Sequence, residues 1–172
     1  MGSNRVYLRA FEPDDYLVSV AWRNDDEIWS QLGGPKYFVS KDYERKWVED
    51  AIFDSKNIRL AVCLIEGDRY IGNVSITNIN TINRSGTSNI LIGDRTCWGR
   101  GIGEEAYRLL LDYAFNERGF HRIEAQVLDD NIASLKMHEK CGFKIEGTMR
   151  DSVFKNGHWQ NQILFSILEN EF

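Results

Sequence analysis

The residues best suited to chemistry lie at positions 97–107, which read Cys-Trp-Gly-Arg-Gly-Ile-Gly-Glu-Glu-Ala-Tyr. An apolar run at residues 90–92 precedes them and an amphipathic segment follows from about residue 102, so the alternate glycines form a bare turn between a strand and a helix. Such a turn leaves backbone N–H groups unpaired at the positive end of a helix, and glycine lets an anion approach them closely. The chemistry this suits is phosphate binding. A purely steric turn, in which glycine serves only a tight connection, stays open beside it. No Lys-Ser or Lys-Thr follows Gly103, so an ATP-type phosphate loop is disfavoured. Glu124 lies about 20 residues further on and keeps a dinucleotide site in play.

Other reactive side chains are sparse. Cys63, Cys97 and Cys141 are odd in number and far apart, and His121, His138 and His158 stand at no ligand spacing to them. Reduced thiols are expected, and no metal. The formal net charge of -5 opposes broad binding to a nucleic-acid backbone and is compatible with a cationic substrate. Asp25, Asp26 and Glu27 form an acidic cluster that either attracts such a substrate or is a solvated loop. No apolar run reaches membrane-spanning length, no secretory signal opens the chain, and Val6 stands where a myristoylation motif wants Ser or Thr. The expected location is cytoplasmic, with no membrane or nucleic-acid partner.

These residues need a scaffold, and 172 residues suffice for one domain, spanning 1–172, with one substantial core. Alternation at Val6 and Leu8 predicts a first strand. Asp14 is placed to cap a helix running to about Trp22, with a short helical piece through Trp29. Ser40 is placed to cap another helix, whose Tyr43, Trp47, Val48, Ala51 and Ile52 share a face. From Ile58 the period becomes two, predicting antiparallel strands at 58–65 and 70–79 and a short one at 88–92. A helix carrying Ala106, Leu109, Leu110, Tyr113 and Ala114 then runs to Gly119, and Ile123, Ala125 and Val127 form the next strand. A short helix ending at Cys141-Gly142 and a terminal hairpin around Asn156-Gly157 complete the chain.

The order of these motifs resembles the GNAT N-acetyltransferase superfamily. The resemblance rests on residues 90–106, then Asn131-Ile132-Ala133-Ser134 and Glu139-Lys140-Cys141-Gly142-Phe143. It is extended by Leu8-Arg9, Trp22-Arg23-Asn24-Asp25, Ile71-Gly72, and Glu146-Gly147 with Arg150, and it is nearest the RimJ/RimL-like subgroup. The fold class this implies is mixed α/β (α+β). It has a mostly antiparallel central sheet of six to seven strands and about four flanking helices, splayed between the strands near 88–92 and 122–128. The resemblance also implies acetyl-CoA as cosubstrate and no metal. Its pyrophosphate would be cradled by Trp98, Gly99, Arg100, Gly101, Ile102, Gly103 and Glu104, and its pantetheine arm would lie along Ile90, Leu91 and Ile92. Asn131 would meet the pantetheine, with Ser134 near the cofactor; helix capping is the other role open to Asn131.

Two departures from the family concern proton transfer. His138 stands where many members carry a tyrosine that protonates the leaving thiolate, and an imidazolium can act as the same acid. Many members carry a glutamate on the strand before the glycine turn, whereas this chain reads Thr87-Ser88-Asn89 there. Glu124 is the candidate base if its face turns inward. The expected reaction is direct acetyl transfer to a primary amine, with a polyamine such as spermidine or another small cationic amine ranked first. A protein N-terminus and a nucleotide amino sugar follow. A non-catalytic acyl-CoA-binding regulatory domain is the reading from another class, and association into a homo-oligomer is compatible with the subgroup.

Overall fold

The computed structural model describes residues 2–172. Its first strand, β1 (Val6–Arg9), enters a 3-10 turn at Pro13–Asp15 and then α1 (Tyr16–Arg23). The acid that organises this entry is Asp15 and not Asp14. Asp15 accepts the Glu12 backbone N–H at 2.8 Å and both Arg9 guanidinium nitrogens at 2.7 Å. Asp25 caps the five-residue α2 (Asp26–Ser30), and Ser40 caps α3 (Lys41–Ile52), each by accepting a first-turn N–H. α3 is rotated from the expected face: Tyr43 is exposed, whereas Glu44 is fully buried with Val48 and Ala51.

Strands β2 (Ile58–Leu64), β3 (Arg69–Asn80) and β4 (Ser85–Ile92) form the meander, with β3 and β4 running further toward their turn than the alternation indicated. α4 (Ile102–Asp112) follows the glycine turn and passes at Tyr113–Glu117 into a π-helical turn in place of a continuous helix. Then come β5 (Arg122–Leu128), α5 (Ile132–Lys140), β6 (Lys144–Lys155) and β7 (His158–Leu168). The last two strands are one long bulged hairpin where the sequence suggested shorter runs, with register shifts between Ile145 and Gly147 and between Met149 and Val153.

One seven-stranded sheet results, in the order β1-β2-β3-β4-β5-β7-β6. All of its pairings are antiparallel except β4 with β5. β4 sorts its side chains by the period of two. Ile90 and Ile92 join Val74, Ile76 and the buried α4 residues Ala106, Tyr107 and Leu110 in one core. Leu91 turns to the other core, with Trp22, Val48, Ala61 and Cys63 beneath α1 and α3. The parallel pairing is brief. It joins residues 85–87 to residues 122–124, after which β4 stays with β3 and β5 stays with β7.

A tight approach fixes the end of β4 against α1. A Cβ added at Gly93 would lie 2.0 Å from the Trp22 indole, a buried rigid ring. Gly93→Ala is therefore expected to cost about 1–3 kcal/mol through overpacking. Urea unfolding measures it, and an unchanged midpoint would contradict this placement of Trp22.

Candidate functional site

Where β4 and β5 part, they leave a slot of about 590 Å³. Its walls are β4 residues 88–92, β5 residues 125–128, the glycine turn, the first residues of α5 and the loop after α2. Beyond Thr87 the β5-facing edge of β4 has no strand partner, so its backbone is available to an extended ligand. At the far end the Ile92 carbonyl accepts the Trp98 indole N–H at 2.7 Å.

The apex of the fork is built from side chains. The Ser88 hydroxyl lies 2.9 Å from the Glu124 carbonyl and 2.6 Å from the hydroxyl oxygen of the fully buried Tyr107, and shares its one proton between these two acceptors. Tyr107 also reaches His138 Nε2 at 3.1 Å, and His138 Nδ1 lies 2.8 Å from the Ser134 carbonyl. A carbonyl only accepts, so Nδ1 carries a proton. His138 is 3% exposed, with its ring on Phe165 and edge-to-face with Tyr107 and Phe143. Burial pushes its pKa below the ordinary imidazole value, opposed by the hydrogen bond to Ser134. At neutral pH the ring is therefore neutral, and Nε2 accepts the Tyr107 hydroxyl. Burial likewise raises the Tyr107 phenol, which keeps its proton.

The glycine turn has the properties of an anion site. Gly99 and Gly101 have φ of 69° and 75°, a left-handed backbone that disfavours side chains. No side chain caps α4, whose first backbone bond runs from Glu105 N–H to the Gly101 carbonyl. The N–H groups of Ile102, Gly103 and Glu104 precede that bond. At the other end of the same first turn Arg5 clamps Glu105 at 2.7 Å and donates to the Arg100 carbonyl at 2.9 Å. The donors and the glycine cradle fit a bound diphosphate.

Most residues singled out in the sequence meet here. Ile90, Leu91, Ile92, Trp98, Gly99, Gly101, Gly103, Glu104, Asn131, Ser134 and His138 line the slot. The Ile102 side chain instead lies in the core, and Arg100 bends back toward the Thr96 carbonyl at 3.4 Å. The Glu124 side chain is absent from the lining; Arg122 holds its carboxylate at 2.9 Å, two residues away on the same strand face. Asn131 is engaged at both ends, its Oδ1 accepting Ser134 N–H at 3.1 Å and its Nδ2 donating to the Gln31 carbonyl at 3.0 Å.

That second bond exposes part of the site that periodicity could not show. Gln31, Leu32, Gly33 and Gly34 form a wall of the slot although 100 residues separate Gln31 from Asn131. Buried Lys155 holds the same loop from the terminal hairpin, donating to the carbonyls of Trp29 and Leu32 and lying 4.1 Å above the Trp29 ring. Burial lowers its pKa, with Asp130 opposing. Lys136 and Lys140 also line the slot; Lys140 pairs with the Glu104 carboxylate at 3.9 Å, and Lys136 has no ion pair among the described residues. Their i, i+4 spacing with Ala133 and Met137 on one face of α5 was the signal available in the sequence. The Asp25–Glu27 cluster, by contrast, is largely neutralised: Arg95 pairs with Asp25 and Glu27, and Lys36 with Asp26.

The buried ring makes His138 a source of acid sensitivity. Below about pH 6.5 the unfolded chain binds a proton there that the folded chain resists, so stability falls with pH through that window. Wild type is expected to lose more thermal stability between pH 7.5 and 5 than His138→Phe, which cannot titrate. Parallel melting curves for the two proteins would rule this out.

The acetyltransferase (GNAT) domain family matches residues 5–144 of the chain. A probable N-acetyltransferase of Bacillus subtilis is 30% identical over 172 residues, covering 95% of this chain and 93% of the relative. A spermidine N(1)-acetyltransferase of Vibrio cholerae is 31% identical over 170 residues, covering 99% of this chain and 96% of its own. The crystal structure of a spermidine N-acetyltransferase from Vibrio cholerae in complex with CoA and spermine is similar at a TM-score of 0.90, with 28% identity and 98% of each chain covered. The forked sheet, the open-ended α4 and these likenesses have one source: the chain belongs to the GNAT family of N-acetyltransferases.

Proposed function

We propose that the protein transfers the acetyl group of acetyl-CoA directly to a primary amine of a polyamine such as spermidine, or of another small cationic amine. The observation that carries the acceptor is the likeness to spermidine acetyltransferases along nearly the whole chain. It extends through the loop after α2, which borders the slot away from the glycine turn, and through the terminal hairpin, whose Lys155 holds that loop. The acidic cluster near Asp25 lies outside the slot lining, and its carboxylates pair with Arg95 and Lys36.

The assigned roles follow from the walls of the slot. N–H groups at the start of α4 hold the diphosphate, with Lys136 adding charge, and the free edge of β4 orients the acyl-bearing arm. The thioester supplies the activated acetyl group. Holding an amine beside it makes the encounter effectively intramolecular, and well-aligned pairs of this kind gain on the order of 7–11 kcal/mol. An alkyl amine with a pKa near about 10 is neutral in only about one molecule per thousand at pH 7. Glu124 is a poor base for it, being committed to Arg122 and outside the slot. We therefore assign no protein base, and the amine enters as its neutral fraction. The departing thiolate is assigned the proton that the attacking nitrogen loses. The neutral His138 ring, its one proton committed to the Ser134 carbonyl, is assigned the positioning of Tyr107 at the apex and not the role of acid.

A panel of amines tests the reaction. Thiol release with spermidine, and none with peptides bearing a free N-terminus, is the expected outcome; thiol release with peptides alone, or with no amine, would refute the proposal. Gly101→Val places a β-branched residue at a φ of 75°. It is expected to weaken CoA binding at least tenfold by calorimetry with the fold retained, and undiminished affinity would move the diphosphate elsewhere. His138→Phe leaves the Tyr107 hydroxyl without its acceptor and is expected to slow turnover severalfold while CoA still binds; an unchanged rate would reduce the ring to packing.

A further inference from the structure

Across β4 from the slot lies a second cavity of about 260 Å³. Leu32 and residues 89–91 line both spaces, so the two meet along the central strand. Phe11 and Trp47 form its apolar wall, and Asn73, Ser75 and Asn89 project into it from the sheet. At its edge is Glu44 of α3, with 0% of the residue exposed. Its Oε1 accepts the Ser19 hydroxyl at 2.7 Å. Its Oε2 has no hydrogen-bond partner among the described residues.

The cations nearby do not fill that need. Arg23 Nε forms an ion pair with Oε2 at 3.5 Å but donates no hydrogen bond to it, and its guanidinium rests over the Trp47 ring at 5.8 Å. The charge thus has a partner while the acceptor oxygen lacks a donor. Arg59 lies against the same ring at 5.7 Å and is held by Asp54 at 2.9 Å. A buried carboxylate oxygen lacking a donor is costly, and such groups are rare unless something outside the protein completes them. Its position fits a donor that arrives in the cavity bearing N–H groups and positive charge, because charge-assisted hydrogen bonds are the strong ones.

We propose that Glu44 binds a second ammonium group of a di- or polyamine acceptor, making it a specificity-determining residue for amines that carry more than one nitrogen. This rests on the acetyl-transfer reading above and names what selects the substrate. One amine reaches the thioester side of β4 while another, still protonated, is held at Glu44 beneath Trp47. Polyamines suit this division because their nitrogens are separated by flexible methylene chains, which the apolar wall of Phe11 and Trp47 accommodates. A monoamine has nothing to place at Glu44.

Steady-state kinetics with spermidine and with butylamine separate these cases. Glu44→Gln keeps the shape and an acceptor for Ser19 but removes the charge. It is expected to raise KM for spermidine at least tenfold while kcat/KM for butylamine and the affinity for CoA stay within about twofold. Ser19→Ala, which disturbs the same buried contact but keeps the carboxylate, is expected to preserve the preference for spermidine. Equal losses on both amines in Glu44→Gln, an unchanged preference, or a matching loss of preference in Ser19→Ala would overturn the assignment. So would a wild-type preference for amines bearing a carboxylate, which Arg23 and Arg59 would hold. Wild-type turnover of spermidine with an unaltered preference in Glu44→Gln sinks this inference alone; a wild type that acetylates no di- or polyamine sinks the proposed function with it.

Discussion

Everything at the site depends on the parting of two neighbouring strands. β4 and β5 share three residue pairs and then separate, each retained by its other neighbour. Unpaired strand edges inside a sheet are costly, because backbone polar groups lose their partners. Side chains meet the cost at the apex: Ser88 satisfies the Glu124 carbonyl and Tyr107 fills the space behind it. Farther out the Trp98 indole takes the Ile92 carbonyl. What remains open is a length of backbone able to hold an extended ligand.

The same wedge links the fork to the rest of the molecule. Tyr107 projects from α4, whose start no side chain caps, and it touches His138 on α5, whose capping residue Asn131 grips the loop after α2. The glycine turn, the apex and the outer loop are thus connected through α4 and successive hydrogen bonds. Lys155 fastens that loop a second time from the terminal hairpin. The two faces of β4 then divide the work by the period of two, with Ile90 and Ile92 on one face and Leu91 on the other.

Local signals made much of this legible. The glycine turn, the Ser40 cap, the Asn131 cap and the alternation at residues 58–64 act over a few residues, and each appears where the pattern placed it. The misplaced details share a cause. Asp14 and Asp15 are adjacent acids, and only the reach of Arg9 selects Asp15. In α3, apolarity favoured Tyr43 as the inward residue, yet the helix turns Glu44 inward because Ser19 on α1 offers it a donor. A helical period cannot see a partner 25 residues away.

The sequence by itself determined the family, the order of strands and helices, and the place of the glycine turn before α4, because backbone propensity, capping and glycine's freedom are properties of neighbouring residues. Only the tertiary structure decided which charges remain available. It paired Glu124 with Arg122 and the Asp25–Glu27 acids with Arg95 and Lys36, and it buried His138 among aromatic rings. It also brought Lys136 and Lys140 to the slot and left one oxygen of Glu44 without a donor. Charge and solvation depend on distances between segments far apart in the chain, and those distances exist only once the sheet has formed.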